Sequence, residues 1–103
     1  MANYLLVYQG VGMPASAAAD PGVVQAWTDW FTALGPAIVD PGNPASQTKH
    51  IGGDGSVRDE VSGPTGYSII KADSIDAAVE LAKGCPVLLG GNTVQVVETF
   101  ETM

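Results

Sequence analysis

The chain has 103 residues, with 11 acidic and 4 basic side chains and a formal net charge of −7. That length suits one domain spanning 1–103, since a single core commonly serves about 100–150 residues, and 46% hydrophobic against 15% charged residues describes a chain that buries a core, not a disordered acidic tail. The negative surplus, with Lys49, Arg58, Lys71 and Lys83 scattered along the sequence, argues against nucleic acid and against an anionic membrane surface as partners.

Cys85 is the single cysteine. An intramolecular disulfide and a thiolate zinc site are therefore both excluded. The opening Met1-Ala2-Asn3-Tyr4 has neither the basic nor the long apolar region of a secretory signal. No apolar run approaches the roughly 20 residues of a membrane-spanning helix. These features lead to the expectation of a soluble, reduced, cytoplasmic protein.

Tyr4-Leu5-Leu6-Val7-Tyr8 is apolar at successive positions and predicts a strand covered on both faces. Residues 10–19, rich in small side chains, read as a loop. Asp20 and Pro21 then form a cap and a first helical position, and Gly35-Pro36 a stop. Between them Val23, Trp27, Trp30, Phe31 and Leu34 lie on one stripe of an amphipathic helix.

Ala37-Ile38-Val39-Asp40 predicts a short strand, and Pro41-Gly42-Asn43-Pro44 a bulge or bend, because proline donates nothing to a ladder. The same strand is expected to resume over residues 48–51, ahead of a turn at Gly52-Gly53-Asp54-Gly55-Ser56. Residues 66–72 predict a further strand. Asp73-Ser74 caps a second helix running to Lys83, with Ile75, Ala78, Val79 and Ala82 facing inward and Gly84 as its stop. Alternation over residues 93–100, with Val94 and Val96 opposite Gln95, Val97 and Thr99, predicts the last strand.

The order strand, helix, strand, strand, helix, strand gives an α+β class, a ferredoxin-like βαββαβ sandwich. Four antiparallel strands would carry two helices on one face. Apolar side chains on both sides of several strands then imply a homodimer closed through the other sheet face, an assembly of the dimeric α/β-barrel type.

The block Gly66-Tyr67-Ser68-Ile69-Ile70-Lys71-Ala72-Asp73-Ser74-Ile75-Asp76-Ala77-Ala78-Val79-Glu80-Leu81-Ala82-Lys83-Gly84-Cys85-Pro86 resembles the YCII-related family in its DGPF-type branch. Trp27, Trp30-Phe31, Leu34-Gly35 and Val39-Asp40 extend the likeness over nearly the whole chain. The resemblance implies a dimeric ferredoxin-like fold and assigns no activity. Asp54-Gly55-Ser56 and Ser62-Gly63-Pro64-Thr65 are the nearest remnants of the family's Asp-Gly-Pro-Phe turn. Val87 stands where relatives often carry a histidine, and the first helix lacks the histidine thought to act with an aspartate in YCII-like proteins.

His50 is the single histidine, so general acid–base chemistry near neutral pH falls to it first, with Asp40 as the carboxylate that would orient it. The plainer alternative makes His50 a surface residue at a strand end and Asp40 a turn former. Cys85, just past a helix C-terminus, suits a buried structural role better than a nucleophile. Spacing supports no metal site and no phosphate loop.

Tyr8, Tyr67, Ser68 and Trp27 are the candidates for a small-molecule pocket, apolar with a few polar points. Two functions follow as expectations. One is a dimeric binding or interaction module without cofactor, with a small apolar ligand as a candidate partner. The alternative is a cofactor-free enzyme performing proton transfer or elimination on a small hydrophobic substrate, with His50 as base.

Overall fold

A computed structural model describes residues 1–10, 20–60 and 63–101. The loop read over 10–19 lies, apart from Gly10, outside them. The described chain is α+β, with two α-helices and a four-stranded antiparallel sheet, an arrangement compatible with a ferredoxin-like sandwich.

The strands are β1 (Ala2–Gln9), β2 (Ile38–Asp40), β3 (Thr48–Ile51), β4 (Val57–Glu60), β5 (Gly66–Ala72) and β6 (Thr93–Glu98). The helices are α1 (Pro21–Leu34) and α2 (Ile75–Ala82). In the main sheet the order is β2-β5-β1-β6. β1 and β5 are the inner strands and both alternate: in β1 Tyr4, Leu6 and Tyr8 are buried, while Leu5 and Val7 on the opposite side are half-buried. Register sets Tyr4 against Ile70 and Leu6 against Ser68 on one side, and Leu6 against Val96 on the other. The inner face thus carries a continuous apolar surface with Ser68 as its buried polar member.

Both helices form where their caps predict. The Asp20 carboxylate accepts hydrogen bonds from the Gly22 N–H (2.8 Å) and the Val23 N–H (3.4 Å), satisfying donors that α1 leaves open. Gly35 ends that helix at a φ of 55°. The Ser74 hydroxyl accepts from the Ala77 N–H at 3.1 Å and starts α2. α1 buries Trp30 and Leu34, and α2 buries Ala78 and Ala82, against the inner sheet face. Ile75, expected on the inward stripe of α2, is instead exposed at its first turn.

One strand expectation is corrected. Residues 48–51 do not resume β2; they pair with β4 in a separate two-stranded ribbon, with Ile51 opposite Val57 across the turn at 52–56. β4 itself, Val-Arg-Asp-Glu, has no inward alternation to reveal it. The bend at 41–44 is present as expected: the β2–β5 register shifts between Ile38 and Asp40, and only an isolated bridge from Pro44 to Gly66 follows. Among the described residues no helix is long and apolar enough to cross a membrane.

Candidate functional site

Between α1 and the Tyr8 end of the sheet lies a half-open cleft of about 370 Å³. Its position follows from the local sequence. α1 presents Val23, Trp27 and Phe31 at helical spacing, so three large groups descend along one wall. The segment Pro41–Ala45 makes the opposite wall, because two prolines keep it out of a regular ladder while it remains tied to β5. Those ties are backbone hydrogen bonds from the Tyr67 N–H to the Asn43 carbonyl (3.3 Å) and from the Ala45 N–H to the Thr65 carbonyl (3.0 Å). Gly42 is required here: its φ is 77°, and a Cβ would overlap the Tyr67 carbonyl oxygen.

The aromatic wall is a packed group. Tyr8 meets Trp27 edge-on with ring centres 5.4 Å apart, and Trp27 in turn contacts Trp30 and Phe31, each at 5.7 Å. Trp30 lies deeper, where its indole N–H donates to the Leu81 carbonyl at 3.1 Å and joins α1 to α2. Val87, from the 3-10 turn Pro86–Gly90, lies at the cleft with Asn92, Thr28 and Thr65 as polar neighbours.

The sequence candidates separate cleanly. Tyr8, Trp27 and Tyr67 all line the cleft. Ser68 does not; it lies beneath, 1% exposed, accepting a hydrogen bond from the Tyr8 hydroxyl at 2.6 Å and donating one to the Pro41 carbonyl, also at 2.6 Å. Tyr8 therefore shows its ring to the cleft and turns its hydroxyl inward. Burial is the main cause that pushes the Tyr8 phenol far above the usual tyrosine range, with the Ser68 hydrogen bond opposing it. Burial likewise raises the Cys85 thiol, which lies beside the Tyr8 hydroxyl. Both groups stay protonated at neutral pH, so Cys85 is no thiolate nucleophile.

Asp40 and His50 are not joined. The Asp40 carboxylate accepts from the Gly42 N–H at 2.8 Å and shapes the turn into the cleft wall. His50 is exposed on the ribbon, opposite Arg58 and in a different sheet from Asp40. No hydrogen bond between the two exists, and neither side chain lines the cleft. Among the described residues no group of three or more His, Cys, Asp and Glu side chains is gathered in one place.

Sequence reasoning missed the role of Pro41–Ala45 as a wall, and of Thr28, Asn43 and Val87 as lining. The first had a signal in the Pro-Gly-Asn-Pro interruption, read only as a bend. The others carry no signal that a sequence pattern resolves. No charged side chain lines the cleft among the described residues, although the chain carries 15 charged residues in all, 4 basic and 11 acidic. No family model, curated protein or solved structure matches the chain.

Proposed function

We propose that the protein is a binding module for a small, uncharged, largely apolar molecule, held in the cleft between α1 and Pro41–Ala45, and that it works as a homodimer. The observation that carries this reading is the lining itself: Tyr8, Trp27, Phe31, Val23 and Val87 around about 370 Å³, with polar groups from Thr28, Asn43 and Thr65 and no charge. Burying an ionised ligand group there would cost several kcal/mol with no partner to offset it. An aromatic or aliphatic molecule with one or two neutral polar groups fits that chemistry. Catalysis by His50 gains no support from its exposed place on the ribbon.

The dimer reading, which accords with the ferredoxin-like βαββαβ reading and the YCII-related resemblance, rests on the outer sheet face. Leu5, Val7 and Ile69 are only half-buried there and Val97 is exposed, and register sets Leu5 between Ile69 and Val97. A contiguous apolar strip of this kind is what an isologous sheet-to-sheet contact covers.

N-phenyl-1-naphthylamine, neutral and aromatic, tests the cleft. Its emission should rise on binding the wild type with one site per chain, and Trp27→Ala should weaken that binding at least tenfold. The anionic relative 1-anilinonaphthalene-8-sulfonate should bind more weakly than the neutral dye. Equal binding of the neutral dye by wild type and Trp27→Ala would remove the cleft as the site.

A further inference from the structure

We infer that the ligand of the cleft is a neutral carbonyl compound, a ketone, ester or amide, whose oxygen accepts the indole N–H of Trp27. This rests on the cleft reading above and names the group by which the site would choose among apolar molecules.

Most hydrogen-bond donors of the lining are already spent. The Tyr8 hydroxyl donates to Ser68 at 2.6 Å, the Thr28 hydroxyl to the Val24 carbonyl at 2.8 Å and the Thr65 hydroxyl to the Tyr8 carbonyl at 3.1 Å. A hydroxyl has a single proton, so these groups have only lone pairs left to offer. The opposite wall is equally short of donors. Pro41 and Pro44 have no N–H. The Gly42 N–H donates to the Asp40 carboxylate at 2.8 Å, and the Ala45 N–H to the Thr65 carbonyl at 3.0 Å.

Among the described residues, the Trp27 indole N–H, the Tyr67 hydroxyl and the Asn43 amide line the cleft and donate to no protein group. They are not equivalent. Asn43 is exposed, where water serves its amide, and the Tyr67 hydroxyl both donates and accepts, turning to suit either. An indole N–H can only donate. The ring of Trp27 is also fixed in direction, packed on Tyr8 at 5.4 Å and on Trp30 and Phe31 at 5.7 Å between ring centres. Every buried side-chain nitrogen and oxygen among the described residues has a partner. The Trp27 nitrogen, unpaired on a half-buried ring, is therefore accessible. Trp30 is the contrast, its N–H already given to the Leu81 carbonyl at 3.1 Å.

A ligand that fills the cleft takes water away from the Trp27 N–H. If it brings no acceptor, the donor is orphaned, which lowers affinity by about tenfold. A vacant lone pair on a threonine oxygen that already holds one bond is better tolerated. The demand of the site is thus for an acceptor. A carboxylate would accept as well, but no Lys or Arg lines the cleft and the chain carries a net charge of −7. That leaves a neutral oxygen acceptor, and a planar carbonyl conjugated to an aromatic ring suits a cleft walled by Trp27 and Phe31.

Displacement of N-phenyl-1-naphthylamine by 2-acetylnaphthalene and by 2-ethylnaphthalene tests the assignment, since the two share ring and size and differ in the carbonyl oxygen. A cleft with no donor would favour the more apolar hydrocarbon. The wild type should bind the ketone about tenfold more tightly, and 2-naphthoate, its charged counterpart, about tenfold more weakly than the ketone. Replacing Trp27 by β-(3-benzothienyl)alanine keeps the ring shape and puts sulfur in place of N–H. That change should weaken the ketone about fivefold and leave the hydrocarbon and the dye unmoved. In nitrogen–proton correlation spectra, the Trp27 indole signal, identified by its loss in Trp27→Phe, should move further downfield with the ketone than with the hydrocarbon. Equal or tighter binding of the hydrocarbon overturns the proposal, as does an unchanged ketone affinity in the sulfur analogue, or naphthoate binding as tightly as the ketone. In each of those cases dye binding by the wild type leaves the cleft standing. A wild type that binds no dye removes the cleft reading and the carbonyl ligand with it.

Discussion

Ser68 makes two contacts with one hydroxyl, and they are unequal in what their loss leaves behind. It accepts from Tyr8 and donates to the Pro41 carbonyl, each at 2.6 Å, and so ties the two inner strands β1 and β5 to the wall of the cleft. Among the described residues every buried side-chain nitrogen and oxygen has a partner, so the relay is fully satisfied as it stands. Ser68→Ala removes both bonds and leaves the Tyr8 donor and the Pro41 acceptor without that partner. Tyr8→Phe removes one bond and leaves Ser68 still donating to Pro41. An orphaned buried group costs about 1–3 kcal/mol, and a lost bond with no orphaned donor about 1 kcal/mol. Urea unfolding should therefore rank Ser68→Ala as the more damaging change, by about 1–2 kcal/mol. The reverse order would mean that the relay does not hold the wall.

Trp27 and Trp30, three positions apart on α1, illustrate how one helix divides its labour. Trp30 is 7% exposed, holds the Leu81 carbonyl through its indole N–H, and fits against Gly84, where a Cβ would come within 3.1 Å of the ring. Trp27 is half-buried and faces the cleft. Trp30→Ala should cost about 3–5 kcal/mol, through lost area and the cavity left behind. Trp30→Phe should cost about 1 kcal/mol for the hydrogen bond, plus the smaller ring's lost area. A loss below about 1 kcal/mol for Trp30→Ala would mean the indole is not core. The spacing of Val23, Trp27, Trp30, Phe31 and Leu34 made this stripe legible, because helical periodicity and caps are local properties. It does not say which of two tryptophans faces a cavity, since that depends on the wall at Pro41–Ala45, which is brought there by β5. β4 was illegible for a related reason: Val57 to Glu60 is solvated on both faces and is a strand only because β3 pairs with it. The turn at 52–56 was the available signal, with strand-like residues before it and a polar run after. His50 and Asp40 looked like a pair across a bend, and the extra ribbon is what separates them.

For the whole molecule, the proposed dimer would join two chains of net charge −7 each, so long-range repulsion would oppose it while apolar contact would favour it. The outer strip is apolar at its centre, with Lys71 and Asn3 paired towards one end. The ribbon's charges are already matched within the ribbon, Lys49 to Asp59 and Arg58 to Glu60. Few charges remain to be gained across such an interface. Repulsion between like-charged bodies is screened by salt, with a Debye length near 30 Å at about 10 mM and below 10 Å at about 150 mM. The dimer should therefore tighten as salt rises, with Kd falling severalfold between about 10 mM and about 500 mM sodium chloride. Sedimentation equilibrium across that range measures it. A Kd that rises with salt would require ion pairs between the chains, made by opening Lys49–Asp59 or Arg58–Glu60 toward the partner. The apolar strip around Leu5, Ile69 and Val97 would then not be what holds the two copies together.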